Sequence, residues 1–116
     1  MIANSPAFAH PAEQEFARLL DFYGVPWQYE PHTFALTRKP DGELASAFAP
    51  DFYLPREDVY VELTTMSPRQ LSRKHRKLRL FRAAYPHLRI QLWNRRQIQS
   101  LLAKYGIPLA KAAGNE

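Results

Sequence analysis

Residues 48–65, FAPDFYLPREDVYVELTT, restrict the fold of this chain more than any other stretch. Two runs rich in aromatic and β-branched residues flank Pro55-Arg56-Glu57-Asp58, a proline-led polar turn, so the pattern predicts an antiparallel hairpin. A turn centred between Arg56 and Glu57 sets Leu54 against Val59, Tyr53 against Tyr60, Phe52 against Val61 and Asp51 against Glu62. Strand side chains alternate between faces. One face then carries Phe52, Leu54, Val59, Val61 and Leu63, a core surface. The other carries Ala49, Asp51, Tyr53, Tyr60, Glu62 and Thr64.

The second face holds a conflict. Directly opposed Cβ atoms lie about 4.5–5.5 Å apart, and like charges placed there weaken a sheet. Asp51 and Glu62 therefore call for a shared proton, a neighbouring cation or a bound divalent metal, unless both are solvated on an open face. Two carboxylates from adjacent strands suit Mg²⁺, which takes oxygen ligands and retains water.

At 116 residues the chain is expected to form one domain with a modest core. No apolar run approaches the length of a membrane-spanning helix. The first ten residues lack the pattern of a secretion signal, and there is no cysteine. Disulfides and thiolate metal sites are thereby excluded, and a cytoplasmic location is expected. The net charge of +5 favours an anionic partner if the basic residues cluster.

Residues 1–10 are expected to form an irregular arm and 110–116 a loose tail, with a single domain over 11–109. Pro11 suits the first turn of a helix. Phe16, Leu19, Leu20 and Tyr23 give it an amphipathic stripe, and Gly24 stops it. Glu15 falls at the border of this stripe, either as a boundary residue or leaning over the sheet towards Asp51. Val25 to Thr37 reads as a strand interrupted or bent at Pro31, with Trp27 and Tyr29 in the core. The Lys39-Pro40-Asp41-Gly42 turn makes that strand antiparallel to the one from Phe48.

Ser67 and Pro68 open a second helix with a narrow stripe of Leu71, Leu78, Phe81 and Tyr85. Its many basic residues mostly point away from that stripe. Lys74 lies roughly 60° from Leu71, inside the apolar sector, and should face the sheet. A lysine facing a core snorkels or finds an anion, and Asp51 and Glu62 are the available anions. Lys77, at the edge of the stripe, is the second choice. LRIQLW at 88–93 alternates as a strand, and Asn94 with Gln97 resembles a capping box. Ile98, Leu101, Leu102 and Tyr105 then mark a last helix. The strand–helix–strand unit implies a last strand parallel to its neighbour. The expected fold is α/β, in the order α-β-β-β-α-β-α, with a mixed sheet flanked by helices. His32, His75 and His87 show no metal-ligand spacing with the acids and read as ordinary polar residues.

This order, with Pro50-Asp51 on one strand and Glu62 on the next, resembles the PD-(D/E)XK nuclease superfamily. The stretch from Ala49 to Trp93 is most similar to the small phage junction-resolving endonucleases and the very-short-patch repair endonucleases. The resemblance implies a restriction-endonuclease-like fold and a metal-dependent endonuclease, acting on DNA more readily than RNA, with room for a homodimer. It assigns catalysis to Glu15, Asp51 and Glu62, with Mg²⁺ or Mn²⁺ held by Asp51 and Glu62 and a second ion near Glu15. The motif lysine would stand two residues after Glu62, where this chain has Thr64. Some members resemble this chain in supplying the lysine from the next helix, which fits Lys74. Arg73, Arg76 and Lys77 would then contact neighbouring phosphates. Two alternatives stand beside this expectation. One is a catalytically silent nucleic-acid-binding module. The other is a regulatory or interaction module beside a nucleotide-metabolism enzyme, in line with a looser similarity to extensions preceding bacterial hypoxanthine phosphoribosyltransferase domains.

Overall fold

The structure is a computed structural model that describes residues 7–64, 67–94, 96–98 and 100. The elements run α1 (Pro11–Phe22), β1 (Gln28–Tyr29), β2 (Phe34–Arg38), β3 (Leu44–Phe48), β4 (Phe52–Leu54), β5 (Val59–Leu63), α2 (Pro68–Ala84) and β6 (Ile90–Trp93). The chain is thus α/β, with a four-stranded mixed sheet in the order β1-β4-β5-β6 and a separate β2-β3 ribbon. β4 is antiparallel to β1 and β5, and β6 runs parallel to β5.

Local chemistry sets the helix ends. The His10 side chain caps α1 by accepting the Ala12 N–H at 3.0 Å, and Pro11 occupies the first turn, where its missing donor costs nothing. Gly24, at φ +68°, takes the left-handed conformation that turns the chain after the helix. Ser67 and Gln70 form a full capping box at the start of α2, with Pro68 at its first turn. The Asn94–Gln97 box is also present, with bonds of 2.8 and 2.9 Å, and residues 96–98 are helical. Leu101, Leu102 and Tyr105 of the expected last helix, and the expected tail 110–116, lie outside the described residues.

The hairpin register is as expected: Phe52 faces Val61, Tyr53 faces Tyr60 and Leu54 faces Val59. The first expected strand and the Phe48 strand each break in the middle. Tyr29 pairs with Phe52 before the break, and Phe34 with Phe48 after it. The two arms therefore form one long hairpin bent at Glu30–Pro31 on one side and Pro50–Asp51 on the other. Prolines cannot donate to the ladder, and Glu30 turns through a left-handed φ of +44°. The Glu30 N–H still donates to the Asp51 carbonyl at 2.9 Å, so the arms stay joined at the bend. Beyond it, the β2-β3 ribbon leaves the sheet and packs towards α2. Phe34 and Phe48 meet Phe81, and the Tyr85 hydroxyl donates to the Ala35 carbonyl at 2.9 Å.

The alternation of β4 and β5 gives the described residues two apolar clusters. Phe52, Leu54, Val59, Val61 and Leu63 pack with Phe16, Ala17 and Leu20 of α1. Tyr60 and Ile90 pack with Phe48 and with Leu78 and Phe81 of α2. No helix among the described residues is long and apolar enough to cross a membrane.

Candidate active site

The bend at Pro50 opens a fork beside the C-terminal end of β5, and the two acids fill it. Past Phe52, side chains carry on the cross-strand bonding. The Leu63 N–H donates to Asp51 Oδ2 at 2.9 Å, and the Asp51 N–H donates to Glu62 Oε1 at 3.0 Å. Both carboxyl groups are buried. A carboxylate that accepts main-chain N–H groups is fixed in place, so the acids are held as rigidly as the strands.

The second turn of α2 brings in the cation. Lys74 Nζ lies 2.8 Å from Glu62 Oε2 and donates to the Leu63 carbonyl at 2.6 Å. Its side chain is 15% exposed and that of Glu62 is 7% exposed, so this is a largely desolvated pair. The helical phase that placed Lys74 on the sheet is borne out. Lys77 lies instead 5.9 Å over the Phe48 ring, with its residue exposed. Arg73 and Arg76 are exposed on the same helix.

One cation does not balance two buried anions. Burial, reinforced by the charge of Glu62, pushes the Asp51 carboxyl up to about 8. The Leu63 N–H and Lys74 pull the other way without reversing it. Glu62 is also raised, because burial outweighs the pull of Lys74. At neutral pH the pair retains a proton.

α1 is rotated from its expected phase. The residues it buries are Glu13, Phe16, Ala17 and Leu20, while Leu19 and Tyr23 are only partly covered. The small Ala17 lets the helix approach the sheet and moves the seam by about 60°. Glu15 consequently lies exposed, roughly 150° from the seam, rather than over the sheet. The acid that α1 turns inward is Glu13. Its Oε1 accepts the Tyr29 hydroxyl at 2.6 Å and the Ala9 N–H at 3.2 Å. Its charge also raises Asp51. A sequence signal was present: Glu13 stands at i to Phe16, Ala17 and Leu20 at i+3, i+4 and i+7.

His32, read from the sequence as an ordinary polar residue, is held to β5. Its Nδ1 lies 2.8 Å from the Tyr60 hydroxyl, on the β5 residue two before Glu62. Thr64, at the expected motif-lysine position, is buried, and its N–H donates to the Trp93 carbonyl at 2.9 Å.

The acids at the fork offer carboxylate oxygens, and the Leu63 carbonyl beside them accepts from Lys74. Paired carboxylates are the donor type that suits a hard divalent cation such as Mg²⁺ or Mn²⁺. No cluster of three His, Cys, Asp or Glu side chains occurs among the described residues, so the expected grouping of Glu15 with Asp51 and Glu62 is not formed. Comparison with models of known protein families, with curated proteins and with solved structures finds no match to this chain.

Proposed function

We propose that this chain is a metal-dependent endonuclease of the PD-(D/E)XK type, hydrolysing phosphodiester bonds in nucleic acid, with DNA the first substrate to try. One observation carries the reading: the Lys74 ammonium, delivered by a different element, lies 2.8 Å from Glu62 beside the paired acids. Asp51, Glu62 and the Leu63 carbonyl would hold Mg²⁺ or Mn²⁺. Such an ion supplies a water of lowered pKa and polarises the scissile phosphate. Lys74 would donate to a phosphate oxygen and stabilise the charge that develops as the P–O bond breaks. Its contact with the Leu63 carbonyl keeps the ammonium aimed at the fork while the site is empty of substrate. Exposed Arg73, Arg76 and Lys77 would hold neighbouring phosphates without reading sequence. Among the α1 acids, Glu13 adds its charge to those that raise the Asp51 carboxyl.

The test is incubation with branched and linear DNA and with RNA, in Mg²⁺ or Mn²⁺. Lys74→Ala and Glu62→Ala are each expected to lower the cleavage rate by at least about 100-fold, the scale of losing a charge stabiliser or a metal ligand. Cleavage at full rate in Glu62→Ala would overturn the mechanism.

A second reading rests on the same lysine. Its ammonium is already satisfied by Glu62 and the Leu63 carbonyl, and Thr64 stands at the usual lysine position. That arrangement also suits a silent nucleic-acid-binding module. This reading predicts salt-dependent binding that ignores both divalent metal and Asp51→Ala.

A further inference from the structure

The bent hairpin brings one more polar group to the fork. Pairing runs through Tyr29 with Phe52 on one side of the bend and Phe34 with Phe48 on the other. Counting inward from both sides sets His32 across from Ala49 and Pro50, immediately before Asp51. Glu30, two residues before His32, is hydrogen-bonded to the Asp51 carbonyl at 2.9 Å, which fixes that neighbourhood. His32 is exposed, while Tyr60, which holds it, is buried. The Tyr60 ring is wedged among Phe34, Tyr53 and Phe81.

The Tyr60 hydroxyl engages one ring nitrogen, His32 Nδ1, at 2.8 Å. Either atom can donate in that contact, and in the tautomer in which Nδ1 accepts, Nε2 carries the ring N–H. His32 is exposed on the bend, and the register sets it next to Asp51.

We propose that His32 is a substrate-binding residue that donates from Nε2 to a backbone phosphate next to the scissile one, with Tyr60 as its positioning residue. The inference rests on the endonuclease reading and extends its site to the hairpin bend that carries His32. A donor there would orient the strand beside the phosphates held by the basic helix.

The test uses the full chain with Ca²⁺ in place of Mg²⁺, so that binding is measured without turnover. Probes are a fluorescein-labelled DNA duplex and a labelled four-way junction, read by anisotropy. His32→Ala is expected to weaken binding by about 5- to 10-fold on the tighter probe, the scale of one hydrogen bond to a charged group. His32→Gln, which keeps a donor, is expected to recover part of that loss. Tyr60→Phe keeps the ring but frees the imidazole, and about a 2- to 3-fold loss is expected from the lost orientation. A melting curve of His32→Ala matching that of the wild type separates binding from structure. If wild type binds and Arg76→Ala weakens it while His32→Ala binds as well as wild type, the assignment of His32 is wrong and the endonuclease reading is untouched. If wild type binds neither probe, the endonuclease reading itself falls for these DNA substrates, and the role of His32 with it.

Discussion

The two faces of the β4-β5 pair lie back to back on the same strands and do opposite things. The face towards α1 is a continuous apolar layer, with Phe52 and Val61 fully buried against Phe16 and Leu20. The face towards α2 begins in the same way, with Tyr60 against Phe81, but one step along it becomes Asp51, Glu62 and Lys74. The first face offsets the entropy of ordering the chain. The second holds two acids and a lysine that an apolar substitute of the same shape would accommodate at lower cost. That difference between the faces is what the endonuclease proposal builds on.

The largest effect expected is on the α1 side. Phe52→Ala opens a cavity touched by Phe8, Phe16, Trp27 and Tyr29, and should lower stability by about 3–5 kcal/mol, measured by denaturant unfolding. A loss under about 1 kcal/mol would mean that this face is not the main core.

Lys74→Met is the matching change on the other face. It leaves Glu62 buried without its cation, and a loss of about 2–3 kcal/mol is expected at neutral pH, below the full cost of a completely buried pair because the lysine is partly exposed. The loss should shrink as pH falls, because protonating Glu62 removes the unpaired charge.

Asp51→Asn should act with the opposite sign. The folded carboxyl titrates at about 8, against an ordinary value of 3.8. Between those limits the folded chain carries a proton that the unfolded chain has released, so stability is greatest at the acidic end and falls as pH rises towards 8. Removing the acid should raise the stability of the metal-free protein by about 1–2 kcal/mol at pH 8, with little change at pH 4. Thermal melts across that range measure it. Adding Mg²⁺ should flatten the wild-type slope and leave Asp51→Asn unchanged.

The smallest effect is expected from Glu15→Ala. An exposed position away from the seam should change stability by less than about 0.5 kcal/mol and leave cleavage intact. Glu13→Gln, by contrast, disturbs the acid that accepts the Tyr29 hydroxyl and should alter the Asp51 titration. If the effects of these two substitutions were reversed, the phase of α1 would be wrong.

The hairpin register and the approach of Lys74 were legible because both follow from periodicity anchored by a strong local signal: the Pro55–Asp58 turn and the Ser67-Pro68 cap. The phase of α1 was not. Its apolar residues allow two stripes about 60° apart, and the choice depends on whether Ala17 or Leu19 meets the sheet. Packing decides that, not helical spacing. The division of each hairpin arm was only half visible. Pro31 marked one break, while the matching break at Pro50 follows from a pairing across the bend. The contact of His32 with Tyr60 was not visible for the same reason, since that partner on β5 is reached only once the arm is folded back at Pro31.

Mn²⁺ titration followed by calorimetry or electron paramagnetic resonance, on wild type, Asp51→Asn and Glu15→Ala at pH 7.5, tests the central claim most directly. The fork between Asp51 and Glu62 should take up the ion in wild type and Glu15→Ala and lose it in Asp51→Asn. No uptake by wild type, or uptake unchanged in Asp51→Asn, would show that the paired acids and Lys74 are a buried structural cluster and not a metal-dependent site.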